Sequence, residues 1–244
     1  MKRKIGTVAI GIRTPIIRER DDLVGIVVNS IIKAQDENSF KLRDKDVIGI
    51  TESIVAKAQE NYVTINQVAN EISKKFHGEI GIVFPILSRN RFSLILKAIS
   101  RGSDKVNMLL KYPNDEVGNP IMDKETFYQL KINPFCDLLK EKDYMEHFSE
   151  FKHPNTGINY IDFYREIVEN EEAKFSVLFS NNPADILSLT DKTLASDIHT
   201  RNETKKILEN SGAKVVYGLD NICNVSIDNC GYNPDYGLLG SNKM

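Results

Sequence analysis

The sequence predicts an α/β protein: a mixed sheet with helices on its faces, plus a small irregular or helical insertion. Short β-branched runs alternate with stretches whose apolar residues recur every three or four positions, a pattern that builds an α/β sheet rather than a sandwich. The 244 residues correspond to one large domain or two small ones at about 150 per domain. A hydrophobic fraction of 41% is ordinary for a globular chain, and a chain of this length buries roughly 70–75% of its unfolded surface, so it needs no staples to fold. The expected organisation is an α/β core over 1–112, an insertion or subdomain over 113–157, and the rest of the core over 158–244. The glycine-rich tail of that last part reads as a loop cut short, without a closing element.

Each element has its own signal. Residues 5–10 read as a first strand that ends at Arg13-Thr14-Pro15, because the residue before a proline is pushed out of the α region. Asp21 and Asp22 precede Leu23, Ile26, Val27, Ile31 and Ala34, which places acid at the positive end of an amphipathic helix. Asp46–Thr51 reads as a short strand running into a helix at Glu52–Ala58, where composition turns from β-branched to helix-forming. Thr64 and Gln67 form a capping-box pattern ahead of Val68, Ile72 and Phe76. Ile80–Phe84 and Val106–Leu110 read as buried strands, separated by a helix through Phe92, Ile95, Leu96 and Ile99. Prolines 113, 120, 134 and 154 punctuate the stretch assigned to the insertion. Ile158–Glu169 reads as a helix and Phe175–Phe179 as a strand; Thr200–Glu203 is a second capping-box pattern leading to Gly212, and Val215–Tyr217 completes the strands.

Composition narrows the function. Thirty-two basic and 34 acidic residues leave a net charge of −2, so no global positive field exists to hold a nucleic-acid backbone. No stretch approaches the ~18 apolar residues of a membrane span, and the run after Met1-Lys2-Arg3-Lys4 is broken too early for a signal peptide. Three cysteines support neither a disulfide framework nor a four-ligand zinc site. The expectation is a cytoplasmic protein with a small-molecule partner, and neither nucleic acid nor membrane.

Three strand-to-helix junctions gather polar residues: Arg13-Thr14, Thr51-Glu52-Ser53 with Lys57 one turn on, and Ser88–Arg91. Helix N-termini at such junctions offer free N–H groups to anions, so a phosphate-bearing ligand suits them, although βα loops are polar in any fold. Lys57, among Ile54, Val55, Ala56 and Ala58, reads as a buried lysine that either snorkels or meets an anion. Asp197 and Arg201 set a carboxylate and a guanidinium at a helix start, where they either bind a divalent ion and a phosphate or cap the helix. Gly237, Gly240 and Lys243 offer glycines and a lysine to phosphate without forming a Walker A loop; the other reading is a frayed terminus. Pro113–Gly118 and His153–Gly157 are turns by composition that also suit binding loops. No Ser/His/Asp order, HExxH or dinucleotide fingerprint is present.

Gly11-Ile-Arg-Thr-Pro-Ile-Ile17, Asp21-Asp22-Leu23 and Asp46-Val-Ile-Gly-Ile-Thr-Glu-Ser-Ile-Val-Ala-Lys57 together resemble the gamma-glutamyl ligases that build the glutamate tail of the deazaflavin coenzyme F(420). Beyond about residue 60 the chain is similar to a diverged bacterial branch, through Phe84–Arg91, His153–Gly157, Asp197–Arg201 and Tyr236–Lys243. The resemblance implies an intertwined homodimer and a nucleotide-dependent ligase. GTP or ATP, with magnesium or manganese, would activate a carboxylate as an acyl phosphate, which the amine of an amino acid such as L-glutamate attacks. It also implies nucleotide contacts at Thr14, Pro15, Ile16, Ile17, Glu52, Ser53 and Lys57. Where the family carries Asn-Ala-Gly followed by Asp, this chain has Ile86–Arg91 with no carboxylate; Arg89 and Arg91 there favour an anion directly. The nearest counterpart of the family's Thr-Asp-Thr-Phe-Gly-Arg-Pro is Asp197–Arg201, which makes Asp197 the expected metal ligand and Arg201 a nucleotide contact. The competing reading is a non-catalytic small-ligand or nucleotide-binding protein on the same fold.

Overall fold

The structure is a computed structural model and describes residues 6–227, 231–239 and 242–243. Helix α1 (Leu23–Glu37) begins where the Asp22 carboxylate accepts the Gly25 N–H at 3.0 Å, an N-cap. α2 (Glu52–Ala58) and the two-residue strand β1 (Tyr62–Val63) follow. The capping box at Thr64 forms as the sequence predicts: Gln67 N–H donates to the Thr64 hydroxyl and Thr64 N–H to Gln67 Oε1, opening α3 (Ile65–Phe76). Then come β2 (Glu79–Val83), α4 (Phe92–Arg101), β3 (Lys105–Leu110), α5 (Lys124–Gln129), β4 (Leu139–Lys140) and α6 (Glu141–His147). They are followed by α7 (Tyr160–Asn170), β5 (Lys174–Phe179), a 3-10 turn at Pro183–Ser188, β6 (Lys192–Ala195), α8 (Arg201–Asn210) and β7 (Val215–Gly218). Two further 3-10 turns, Leu219–Asn221 and Gly237–Leu239, precede β8 (Asn242–Lys243).

Six strands form one mixed sheet in the order β4-β5-β3-β2-β6-β7, parallel throughout except for the antiparallel edge pair β4–β5. Numbered along the chain, the five parallel strands lie in the order 3-2-1-4-5, the doubly wound arrangement whose winding reverses between β2 and β6. Alternation sorts the strand side chains. Ile80, Ile82, Val106, Met108 and Leu110 join α3, α4 and α7 in the larger core, while Val83, Leu109 and Leu178 meet Ile186 and Leu208 on the other face. Gly81 lets the Pro183–Ser188 turn lie close to that second face, since a Cβ there would come 2.8 Å from Ile186 Cγ1 and Thr190 Cγ2.

The α/β expectation holds, and β2, α4, β3, α7, β5 and β7 lie within two residues of their predicted bounds. Four expectations are corrected. Residues 6–10 and 46–51 are not strands: Val8, Ile10, Val47, Ile48 and Ile50 are exposed, and a β-branched run without a neighbouring strand has no ladder to join. The central strand β6 has no counterpart in the reading, because it is only four residues long and begins Lys192-Thr193. Thr200 is the N-cap of α8 but forms no capping box, since its hydroxyl donates to Asp197 Oδ2 at 2.7 Å. Finally, the tail has a closing element, for β8 pairs in parallel with β1.

Candidate functional site

In an open doubly wound sheet, ligands bind at the carboxyl ends of the strands flanking the reversal. One side of this crevice is the segment after β2. It starts at Phe84, whose backbone sits at φ 56° while its N–H still donates to Leu109 O, and Lys111 Nζ lies 4.7 Å from its ring centroid. Leu87 N–H donates to Asp115 Oδ2 at 2.9 Å, and Ser88 N–H donates to the Tyr164 hydroxyl at 2.8 Å. Ser88 Oγ accepts Arg91 N–H, which turns the chain into α4. The Arg91 guanidinium pairs with Glu52, so the start of α2 is tied to the start of α4.

The opposite side follows β6. Ser196 N–H extends the ladder to Val83 O at 2.8 Å. Asp197 is fully buried: its Oδ2 accepts the hydroxyls of Thr200 and Thr204, while Oδ1 has no hydrogen-bond partner among the described residues. The Arg201 guanidinium donates to Asp197 O and lies 2.7 Å, through Nε, from Asp220 Oδ1; Lys205 Nζ holds the other Asp220 oxygen at 3.0 Å. Burial works to raise the Asp220 carboxyl, but the Lys205 hydrogen bond and the Arg201 charge outweigh it and hold the group below its ordinary value.

A turn spans both sides. Asp115 accepts from Leu87 N–H, Val117 N–H, Asn119 N–H and Asn119 Nδ2, while Glu116 accepts Ile198 N–H at 2.5 Å and His199 N–H at 3.3 Å. This is the Pro113–Gly118 stretch that composition marked as either turn or binding loop. Neither carboxylate stood out by residue type; the signal was the run Asn114-Asp115-Glu116 between a proline and a glycine.

The expected nucleotide residues are only partly gathered. Glu52 and Arg91 meet, and Ser53 stands beside Glu52. Thr14, Pro15 and Ile16 are exposed in an irregular segment, and Ile17 is buried. Lys57 is exposed rather than buried; the buried residues of α2 are its neighbours Ala56 and Ala58. Arg201 is committed to Asp220. Gly237 is a packed position, with φ 50° and a Cβ site that would meet the carbonyls of Asp220 and Ile222. Gly240 lies outside the described residues, and Lys243 lies in β8. The His153–Gly157 stretch is a turn closed by His153 N–H to Ile158 O, with the His153 ring buried edge-on to Tyr160.

The fold thus defines a doubly wound α/β protein whose switch point is flanked by the polar segments after β2 and β6. The family model described as F420-0:Gamma-glutamyl ligase matches residues 11–243, so the chain belongs to that ligase family. Comparison with curated proteins and with solved structures returns no match. No helix among the described residues is long and apolar enough to cross a membrane.

Proposed function

We propose that the protein is a nucleotide-dependent ligase that joins a carboxylate to the amine of an amino acid of the L-glutamate type, through an acyl phosphate. The observation that carries this reading is the family match over nearly the whole chain. GTP or ATP would lie against the Glu52–Arg91 corner and Lys57, with Thr14–Ile17 alongside. Lys57 and Arg89 favour it, being cationic and, among the described residues, in no ion pair. Magnesium or manganese, when bound, supplies screening of phosphate charge. Among the described residues no three His, Cys, Asp or Glu side chains gather around an ion. The fit is to the sparse arrangement magnesium makes with nucleotides, one carboxylate with phosphate oxygens and water, for which Asp197 Oδ1 would serve.

The homodimer belongs to the same reading. Val8, Ile16, Val24 and Val47 are 65%, 81%, 73% and 92% exposed, an open apolar arm that a second copy would cover. Light scattering would give twice the chain mass; a monomer would remove this part. A cytoplasmic setting belongs to the same reading and agrees with the free thiol of Cys136.

The test is calorimetric titration of GTP and ATP with and without magnesium, followed by a coupled assay for nucleotide cleavage dependent on L-glutamate. Metal-enhanced binding of one nucleotide supports the ligase. The engagement of Arg201 by Asp220 favours the second reading, a non-catalytic ligand-binding protein; binding without turnover would select it, and no heat at millimolar nucleotide would remove the first.

A further inference from the structure

We propose that the backbone N–H groups of Ile198 and His199 form a cradle for a ligand oxyanion, and that the Glu116 carboxylate fills it in this structure as an internal stand-in. The two oxygens divide between the two donors, Oε1 on Ile198 and Oε2 on His199, so the cradle is complementary to a carboxylate or phosphate edge. It lies at the carboxyl end of β6, beside the reversal of the sheet.

Glu116 is a replaceable occupant. Among the described residues no cationic side chain pairs with it, and a carboxylate precedes each end of the grip in sequence: Asp115 before Glu116, and Asp197 before Ile198. Asp115 is the fixed half of the turn, buried and holding four donors, so Glu116 can leave without freeing the segment. A second, independent observation points to a ligand. Asp197 Oδ1, directly before the cradle in sequence, is buried with no hydrogen-bond partner among the described residues, a state that costs free energy until a cation or donor meets it. The incoming ligand is therefore an oxyanion that brings its own cationic group. An amino acid with its ammonium and a nucleotide with its magnesium share that chemistry. Which of them arrives rests on the ligase reading; the cradle does not.

The experiment follows the Ile198 and His199 amides of the ¹⁵N-labelled full chain by NMR. The titrants are L-glutamate, glutarate, and inorganic pyrophosphate with and without magnesium. In Glu116→Ala, both amides should respond at roughly tenfold lower concentration than in the wild type, the size of one net hydrogen bond. Preference for L-glutamate over glutarate identifies the amino acid as occupant; preference for magnesium pyrophosphate identifies the nucleotide. Equal midpoints in the two proteins, or silent amides in the variant, overturn the proposal. If Glu116→Ala does not fold, Glu116→Gln, which is neutral and still accepts a hydrogen bond, decides by the same comparison with a smaller shift. Responding amides without nucleotide heat would leave the cradle standing while removing the ligase.

Discussion

Asp115 and Glu116 are neighbours in the chain, yet they grip opposite sides of the crevice, one at Leu87 N–H after β2 and the other at the N–H groups of Ile198 and His199 after β6. Two adjacent residues thus tie the segments after β2 and β6 together. The two grips differ in kind, for Asp115 is 8% exposed and fully subscribed, whereas Glu116 is half-buried with two contacts.

Asp115→Ala strands the Leu87, Val117 and Asn119 donors. The expected cost is about 2–3 kcal/mol in urea unfolding with an unchanged m value, since a buried unsatisfied group costs about 1–3 kcal/mol and the turn relaxes partly into water. Asp115→Asn should recover part of it. A loss near zero would mean that the turn is not held by this carboxylate.

Lys57→Met should weaken nucleotide binding by about 1.5–3 kcal/mol, the range of a charged hydrogen bond, and leave the melting temperature unchanged because the side chain is exposed. Calorimetry and a thermal melt decide it. A lower melting temperature with unaltered affinity would make Lys57 a packing residue.

The elements that sequence periodicity located share one property: their apolar faces are buried by neighbours. α3 carries Val68, Ile72 and Phe76 inward behind a formed capping box, and α4 carries Phe92, Ile95, Leu96 and Ile99. The misread segments 6–10 and 46–51 have strand-like composition but no partner, and pairing is not encoded in a single run. β6 failed the opposite way: Lys192-Thr193 looks polar, and only its place between β2 and β7 buries it. At the site, Glu52, Arg91 and Asp197 were each legible as polar residues where a strand gives way to a helix, but the pairing of Glu52 with Arg91 was not, since it joins junctions far apart in the chain. Tyr164 was not, since an aromatic in an apolar helical stripe carries no sign that its hydroxyl reaches another segment.

The Asp220 carboxyl titrates below its unfolded value, held there by Lys205 and Arg201 against the opposing effect of burial. A depressed carboxyl lends stability that is complete above the ordinary aspartate range near ~3.9 and drains away as pH falls through the folded value. Asp220→Asn should lower stability at pH 7 and flatten the acid limb of a melting profile between about pH 5 and pH 2. A parallel limb in variant and wild type would show that the Arg201–Asp220–Lys205 cluster does not carry the pH dependence.

The Glu52–Arg91 pair links α2 to α4, with side chains 49% and 60% exposed. Water screens such a pair, so Arg91→Ala should cost less than about 1 kcal/mol of stability. Its effect on nucleotide affinity should be larger, because the guanidinium stands at the corner the ligand would use. Urea unfolding and titration on one variant separate the two, and a stability loss exceeding the affinity loss would make the pair structural.

Tyr164 tests whether the segment after β2 is positioned from within the core. Burial pushes its hydroxyl far above the ordinary tyrosine value, so it stays protonated, accepting Ser88 N–H at 2.8 Å and facing Ser88 O at 3.4 Å. Ser88 in turn receives Arg91 N–H, so one buried hydroxyl sets the backbone that presents Arg89 and Arg91. Tyr164→Phe keeps the edge contacts with Phe92 and Tyr160, both at 5.6 Å between ring centroids, and removes only the hydroxyl. The fold should persist with a loss of about 1 kcal/mol. Hydrogen exchange at the Ser88 and Arg91 amides should quicken while β2 amides keep their protection. Nucleotide affinity should fall with it, as the arginines lose a fixed mount. Unchanged exchange at Ser88 would show that the loop is held by Asp115 alone, and a uniform loss of protection across β2 and β3 would show that the hydroxyl serves the core rather than the cleft.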